Sequence, residues 1–229
     1  MSNRTESDIE GGLDFERIVF FSDAVFAIAI TLLILEIEPP KLEDVLEPGH
    51  SLGTELAHQF RSIQSFLTSF IVLGFYWRAH HQIFRYVKRF DGNLIWLNLT
   101  FLLSIAWLPY PTALLGRFVD PELIPTMGIG DVQLTVMLYA GSVAITGLIL
   151  TALWVYSTRR HRFVDKDLDP RFIQYQTLRH FIPAALFVVS IAFTFVDPIW
   201  TSSLWWVVLL TLPLLRLIYG YKEYPGDKR

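Results

Sequence analysis

The chain has 229 residues, of which 52% are hydrophobic, and its formal net charge is −3. It contains no cysteine, which excludes disulfides, thiol catalysis and thiolate metal sites. The mean hydropathy of +0.40 is higher than that of ordinary soluble domains, so we expect a protein that is solvated by lipid.

Six hydrophobic segments follow one another, each long enough to cross a bilayer as a helix. They lie at about 18–37, 60–79, 93–116, 132–156, 181–200 and 203–220. The sequence therefore predicts an all-α integral membrane protein with six transmembrane helices in one membrane domain, 17–221. We expect cytoplasmic tails at 1–16 and 222–229. The first tail is polar and acidic and lacks the features of a signal peptide, so the first segment should be retained.

The positive charges divide unevenly between the two sides of the predicted membrane domain. If the N-terminus is cytoplasmic and six spans alternate, sixteen of the nineteen Lys and Arg residues fall on the cytoplasmic side. The other three are Lys41, Arg61 and Arg117. Positive residues are retained in the cytoplasm during insertion, so this distribution favours six spans with both termini cytoplasmic. It also predicts that 78–92 and 157–180 face the cytoplasm.

Two features distinguish particular segments. The second, 60–79, is the least apolar, and we expect it to be buried among other helices, where its polar side chains can find partners. Asp197, Pro198 and a few neighbours are all that separate the fifth and sixth segments, which predicts a tight helical hairpin.

Two short motifs match known functional sites in their letters. Residues 49–53 read G-H-S-L-G, like the nucleophile elbow of serine hydrolases, but that elbow needs a strand, a helix and a large sheet. Residues 126–131 read T-M-G-I-G-D and resemble the carbonyl filter of tetrameric potassium channels, which must follow a pore helix. Pro121 and Pro125 interrupt any such helix, so we expect an outer loop that caps the fourth span.

Motifs for hydrolytic metals and nucleotides do not occur in the sequence. It has no H-E-x-x-H, no Walker A loop and no G-x-G-x-x-G, and its six histidines are not spaced as a metal site. We therefore expect no enzymatic activity, no cofactor, no bound metal and no nucleic-acid partner.

The first span carries an acidic residue inside the membrane, Asp23. An intramembrane carboxylate costs about 2.5 kcal/mol or more unless it meets a partner or a watery cavity. Trp77, His80 and Asn98 should lie at a similar depth, and Arg17 is six residues away, or about 9 Å along a helix. We hypothesise a hydrogen-bond network of these residues with Ser22, as the alternative to Trp77 and His80 being ordinary interfacial anchors.

An apolar stripe runs along the same helix. Ile28, Leu32 and Leu35 follow i, i+4, i+7 spacing, with Thr31 beside them, and Asp23 is rotated about 140° from Ile28. The acid therefore points away from the stripe. By pattern alone the stripe faces lipid or the core, because apolar residues are expected everywhere in a span.

The segment around Asp23 resembles a family signature. Residues 17–23 read R-I-V-F-F-S-D, and with the apolar helix that follows they look like the R-x-x-x-F-S-D motif of the transmembrane protein 175 family of potassium channels. Residues 77–84, W-R-A-H-H-Q-I-F, and residues 98–112, ending in L-P-Y-P-T, look like the second and third spans of that family. The chain has one copy of the motif and is similar to the prokaryotic members, which assemble as tetramers, whereas the animal protein has two six-helix repeats.

The resemblance implies a potassium-selective, leak-like cation channel in the cell membrane, a homotetramer whose pore is lined by the first helix of each subunit. Apolar side chains would form the constriction in place of a carbonyl filter: Ile28, Leu32 and Leu35, with Thr31 as a hydroxyl layer. A structural network would lie behind the pore, formed by Arg17, Phe21, Ser22, Asp23, Trp77, His80 and Asn98.

Other classes of membrane protein remain as alternatives. A proton-permeable channel or a proton-coupled secondary transporter could use Asp23 and His80 as a relay. Such transporters usually show matched broken helices in two halves, and the prolines of the third and sixth spans do not correspond in position. A non-conducting scaffold is a third possibility.

Overall fold

The computed structural model describes residues 6–119, 124–207, 214–215 and 217–220, and this part of the chain is helical without a strand. The α-helices are α1 (Glu6–Leu32), α2 (Leu42–Leu46), α3 (Leu52–His58), α4 (Phe60–Tyr86), α5 (Gly92–Trp107), α6 (Pro109–Phe118), α7 (Ile124–Met127), α8 (Ile129–Thr158), α9 (Pro170–Phe193) and α10 (Pro198–Leu204). Four stretches within it are long and apolar enough to span a membrane: Phe15–Glu36, Gly92–Phe118, Ile129–His161 and Pro170–Phe193.

Helix α1 forms because the segment from Phe15 to Glu36 contains neither glycine nor proline. It begins at Glu6, inside the predicted tail 1–16, and ends in a 3₁₀ turn at Leu33–Glu36 before two consecutive prolines. Within its apolar window 22% of the residues are buried, against 61% for α8. Helix α1 therefore lies at the edge of the chain's own fold, whereas α8 lies at its centre.

Helix α4 contains the predicted second span and extends it to 27 residues, about 40 Å in length. Ser65, Ser69 and His80 on this helix are buried, while Phe60 and Phe70 are exposed. The expectation that polar groups of the span 60–79 pack among other helices is confirmed for Ser65 and Ser69, whereas Gln64 is exposed.

The third predicted span forms two helices, α5 and α6, that meet at Leu108. Leu108 keeps helical backbone angles, and its amide donates to Ile105 in a 3₁₀ turn. Pro109 has no amide hydrogen, so the helical ladder is interrupted there while the direction of the chain is kept.

The fifth span differs from the prediction, because α9 begins at Pro170, 11 residues before the predicted start at 181. The Asp169 side chain caps the helix by accepting from the amide of Arg171 at 2.9 Å, and Pro170 occupies the first turn. Helix α9 ends at Phe193, seven residues before the predicted end at 200, and α10 begins at Pro198, so a four-residue turn separates two helices near the predicted hairpin turn. Of the predicted sixth span, 203–220, the structure describes 203–207, 214–215 and 217–220, and the remaining residues lie outside the described part of the chain.

The two motifs that resemble functional sites have other structures. Ser51 caps α3 through a bond from the amide of Thr54, and the described part of the chain has no strand to support a nucleophile elbow. Gly128, with φ of +89°, separates α7 from α8, and Gly130 lies in the first turn of α8. Residues 126–127 therefore end α7 and residues 129–131 begin α8, so this segment, expected as a loop before the fourth span, is largely helical.

Contacts at both ends of the bundle show how the helices alternate in direction. At one end, the Glu38 carboxylate forms an ion pair with Arg117. The backbone carbonyl of Glu38 accepts a hydrogen bond from Nε2 of Gln59 at 2.6 Å. At the opposite end, Asp91 accepts from Tyr156 at 2.8 Å and from Arg162 at 2.9 Å. We call these the Glu38 end and the Asp91 end.

The Asp91 carboxylate also accepts from the amide of Leu94 at 2.8 Å and thereby caps α5. Partial burial raises the pKa of the Asp91 carboxyl, but the bonds from Leu94 and Tyr156 and the charge of Arg162 lower it more, so the pKa lies below its usual value. The Arg162 guanidinium lies over the rings of Tyr156 and Phe163, 5.2 and 5.1 Å from their centroids. This cluster joins the loop before α5 to the loop after α8.

Helices α8 and α9 approach each other closely at Gly147. A Cβ atom added there would lie 2.8 Å from Cβ of Ala184 and 3.2 Å from the hydroxyl of Tyr76. Small residues allow such close packing in membranes, where the hydrophobic effect does not drive helices together.

Candidate pore helix and the network behind it

One face of α1 and of the 3₁₀ turn that follows it is apolar and exposed in the single chain. Ile28, Leu32 and Leu35 are 58, 42 and 69% exposed, and Thr31 is exposed beside them. The Thr31 hydroxyl donates to the carbonyl of Ala27 at 2.9 Å, and its oxygen can still accept. The three apolar side chains that were predicted as a stripe therefore share a face that the chain's other described helices leave uncovered.

The opposite face of α1 packs against the bundle. Phe26, Ala29 and Leu33 are almost fully buried, and so is Ser22. An apolar helix that buries one face and exposes another must place the exposed face against lipid or another subunit.

Behind the exposed face, three helices are joined by a chain of hydrogen bonds through Asn98. Nε2 of His80 on α4 lies 2.8 Å from Oδ1 of Asn98 on α5, and since a carbonyl oxygen only accepts, the imidazole donates. Nδ2 of Asn98 donates to the Ser22 hydroxyl on α1 at 3.1 Å, and Ser22 donates to the carbonyl of Ile18 at 2.9 Å. His80, Asn98 and Ser22 are at most 2% exposed.

A second bond joins α1 to α4. The indole Nε1 of Trp77 donates to Oδ1 of Asp23 at 2.9 Å. The Asp23 carboxylate therefore has a hydrogen-bond partner. Because Asp23 is only half-buried, its carboxylate also remains partly accessible. Ser22 and Asp23 are neighbours in sequence, and the two bonds together fix one turn of α1 against α4 and α5.

Aromatic rings enclose His80. Its ring stacks on Phe101 with centroids 5.4 Å apart and planes 6° apart, and the rings of Phe84 and Phe26 lie 4.5 and 5.7 Å from it. Three aromatic rings therefore pack against the imidazole, and the amide of Asn98 supplies the hydrogen-bond acceptor for its buried Nε2.

Two residues predicted for the network, Arg17 and Phe21, are exposed in the single chain. Phe21 is 53% exposed, and Arg17 is exposed as well. Phe21 and Arg17 precede Ile28 by seven and eleven residues, and these spacings place both on the same side of the helix as Ile28. The structure thus places Phe21 on the exposed face of α1 and not behind it.

Sequence reasoning missed a second polar cluster nearer the Glu38 end. The Thr112 hydroxyl on α6 donates to Ser69 on α4 at 2.8 Å, and Ser69 lies 3.0 Å from the hydroxyl of Tyr139 on α8. Tyr76 donates to the carbonyl of Val143 at 2.6 Å. The polar residues of the second span were the signal, but their partners on α6 and α8 are far away in sequence. Among the residues that the structure describes, no group of three or more His, Asp or Glu could hold a metal ion.

The fold and this site define an all-helical membrane protein whose most exposed long helix is anchored by buried hydrogen bonds. The sequence model of the family "Endosomal/lysosomal potassium channel TMEM175" matches residues 17–109, which include α1 from residue 17 onward and all of α4 and α5. A Streptomyces collinus protein named as a potassium channel is 32% identical over 93% of this chain and 95% of its own length. This chain belongs to the TMEM175 family of ion channels.

Two other proteins extend the comparison. The crystal structure of a lysosomal potassium-selective channel TMEM175 homologue from Chamaesiphon minutus matches with a TM-score of 0.71 and 29% identity, over 91% of this chain and 99% of that one. The endosomal/lysosomal proton channel TMEM175 of Mus musculus is 30% identical over 89% of this chain but only 39% of its own length. The relatives are thus named for two different permeant ions.

Proposed function

We propose that four copies of this chain form a potassium-selective, leak-like cation channel in the plasma membrane, with the exposed face of α1 lining the pore. Each subunit would contribute six transmembrane helices with both termini in the cytoplasm. The observation that carries the proposal is the combination of an uncovered apolar face with a buried, hydrogen-bonded face on the same helix.

The constriction is proposed at Ile28, Leu32 and Leu35, with Thr31 contributing hydroxyl oxygens. A narrow ring of apolar side chains blocks hydrated ions by dewetting until it widens. Potassium releases its hydration water more easily than sodium, so such a ring favours potassium without a cage of carbonyl groups. The selectivity should be weaker than that of a carbonyl filter.

The role proposed for the network is to hold α1 at a fixed rotation. Bonds from Asn98 and Trp77 reach two adjacent residues of α1, Ser22 and Asp23, so a small rotation of the helix would break both. Ile28 lies five or six residues further on, and the network would therefore set the direction in which Ile28 points.

The orientation follows from the distribution of charge, with the Asp91 end proposed as cytoplasmic. Cysteines introduced at Lys88 and Arg162 should resist a membrane-impermeant thiol reagent in intact cells, and a cysteine at Lys41 should react. The chain has no native cysteine, so no background labelling is expected. Labelling of Lys88→Cys or Arg162→Cys in intact cells would contradict this topology.

A proton-permeable channel is the second candidate, because the mouse relative is named a proton channel. Asp23 and His80 are the titratable side chains of the network behind the proposed pore, although His80 is enclosed by rings. A proton-coupled transporter would use the same two groups.

Purified protein in liposomes can separate the candidates when potassium, sodium and proton gradients are imposed one at a time. We expect uncoupled potassium flux that exceeds sodium flux and proceeds without a proton gradient. Proton flux without potassium flux would favour the proton channel. Potassium movement that requires a proton gradient would favour the transporter.

A further inference from the structure

A groove between α4, α8 and α9 has no part in the proposed pore, since none of the described residues that line it belongs to α1. Its volume is about 130 Å³, close to that of an engineered cavity of about 150 Å³ in another protein that binds benzene. Small residues form part of its lining: Ala79, Gly147 and Ala184. Phe75 also lines the groove and is exposed, so the groove opens at the surface of the chain. It therefore has room for a molecule of about six carbon atoms.

The charged side chains of the groove lie toward its Asp91 end. Arg78 on α4 and Arg179 on α9 belong to the lining. The amide oxygens of Gln82 and Gln176 accept from Nη1 of Arg179 at 3.0 and 3.4 Å. Both glutamines lie about one helical turn nearer the Asp91 end than the arginines. Nη1 of Arg179 is therefore directed toward that end, whereas Phe187 lies about two turns away in the opposite direction.

One polar side chain in the wall of the groove has no partner. Apart from the arginines, Tyr76 and His180 are the polar side chains among the described residues that line it. The Tyr76 hydroxyl donates to the carbonyl of Val143 at 2.6 Å. His180 is 5% exposed, and its Nε2 has no hydrogen-bond partner within the described part of the chain. Buried polar atoms are nearly always satisfied, so the unpaired Nε2 indicates that a further molecule supplies its partner.

We propose that this groove binds an uncharged molecule through a hydroxyl group and an aliphatic segment of about six carbons. The hydroxyl would bond to the imidazole of His180, which would turn about its Cβ–Cγ bond to present a nitrogen to the groove. The aliphatic segment would follow the apolar wall toward Phe187. Short alcohols and lipids with a free hydroxyl, such as diacylglycerols, share this chemistry.

The hydroxyl group is favoured by the chemistry of the imidazole. A neutral imidazole has one nitrogen that donates and one that accepts, and a hydroxyl can pair with either, whereas a carbonyl or carboxylate oxygen can only accept. A carboxylate would also bring a charge into the apolar part of the groove, which costs more than burying a hydroxyl.

Photolabelling of the purified full chain can test the proposal. The probe is a six-carbon alcohol with a diazirine on its chain, and the matched probes are the alkane and the carboxylic acid of the same length. Peptide mass spectrometry locates the label, and labelling of the groove is divided by that of Val189, which is 52% exposed on α9 and outside the groove lining. We expect the alcohol to label Phe75, Ala79 and Phe187 about fivefold more than the alkane does, the value of one hydrogen bond. Excess n-hexanol should remove this labelling.

Three variants locate the site and its hydrogen bond. His180→Phe keeps an aromatic ring and removes the unsatisfied nitrogen, so it should fold. It should lower labelling by the alcohol about fivefold and leave labelling by the alkane unchanged. Ala79→Phe fills the groove and should abolish labelling by both probes. Ala113→Phe is the matched control, because Ala113 is also half-buried but lies on α6 outside the groove lining, and its labelling should equal that of wild type.

Several results would overturn the proposal. Equal groove labelling by the alcohol and the alkane, or equal alcohol labelling in wild type and His180→Phe, would remove the role of the hydrogen bond. Stronger labelling by the carboxylic acid would contradict an uncharged ligand. Equal losses in Ala79→Phe and Ala113→Phe would contradict the location. An unlabelled groove in wild type, with a change of subunit number in Ala79→Phe, would assign the groove to a second copy of the chain instead.

Discussion

Asn98 is hydrogen-bonded to buried side chains of two other helices, His80 and Ser22. Its replacement should therefore lower the free energy of unfolding, by an amount that depends on whether His80 is present. Asn98→Leu keeps the volume of the side chain but leaves Nε2 of His80 without an acceptor, while Ser22 keeps its bond to Ile18. An unsatisfied buried group costs about 1–3 kcal/mol, and single bonds between transmembrane helices are worth about 0.6 to 1.7 kcal/mol. We expect Asn98→Leu to lower the free energy of unfolding by about 1–3 kcal/mol.

A double-mutant cycle isolates this bond. His80→Phe removes the donor and keeps an aromatic ring against Phe101, so it should cost a similar amount by leaving Oδ1 of Asn98 unpaired. Once both partners are apolar, neither is left unsatisfied, and the double variant should cost about 1 kcal/mol less than the sum of the single variants.

The free energies can be measured by reversible unfolding in mixed micelles with increasing dodecyl sulfate. Thr100→Ala is the matched control, because Thr100 lies on the same helix and its hydroxyl donates to the carbonyl of Trp96. The change in unfolding free energy caused by Thr100→Ala should simply add to that caused by His80→Phe. Additivity of Asn98→Leu and His80→Phe within about 0.3–0.5 kcal/mol would refute the bond's contribution.

Three further predictions concern packing, the outer glycines and pH. Gly147→Ala should lower the free energy of unfolding by about 1–3 kcal/mol, because its Cβ meets Ala184. Gly141→Ala has open space at its Cβ and should be neutral or stabilising. Thermal unfolding in detergent compares the two variants. Gly130→Ala should leave channel current unchanged in liposome recordings, since Gly130 lies in a helix with space for a Cβ; loss of current would support the segment as a carbonyl filter. The lowered pKa of Asp91 means that its stabilisation is present above about pH 3.8, the ordinary carboxyl value, and is lost as the pH falls through the folded-state pKa. Wild type should therefore lose more stability than Asp91→Asn on acidification, and parallel melting curves would contradict this.

Hydropathy predicted the spans well where apolar residues dominate and poorly where polar residues lie inside a helix. The start of the fifth span was placed at 181 because Arg179 and His180 reduce the hydropathy before it. The helix begins at Pro170, where Asp169 and Pro170 form a typical N-terminal pair of helix-starting residues. Local capping signals would have corrected the boundary that the hydropathy average missed.

Depth and helix period were enough to predict which residues meet, but only within limits. Asp23 and Trp77 were grouped by depth, and they are hydrogen-bonded. Phe21 was grouped with them through the family motif, whereas the helix period places it on the side of Ile28, where it is exposed. Ser69 has two hydrogen-bond partners, Thr112 and Tyr139. Which residues meet Ser69 depends on how the helices cross, and the period of a single helix does not determine that.

The central claim is that the exposed face of α1 lines the pore, and the Ile28→Asn variant tests it most directly. Potassium and sodium flux would be measured in liposomes beside Ile145→Asn, a matched control, because Ile145 on α8 is also 58% exposed. If α1 lines the pore, Ile28→Asn should wet the apolar ring, raise the flux and weaken the discrimination between potassium and sodium, while Ile145→Asn leaves both unchanged. Unchanged flux and selectivity in Ile28→Asn, with normal folding of both variants, would contradict the claim.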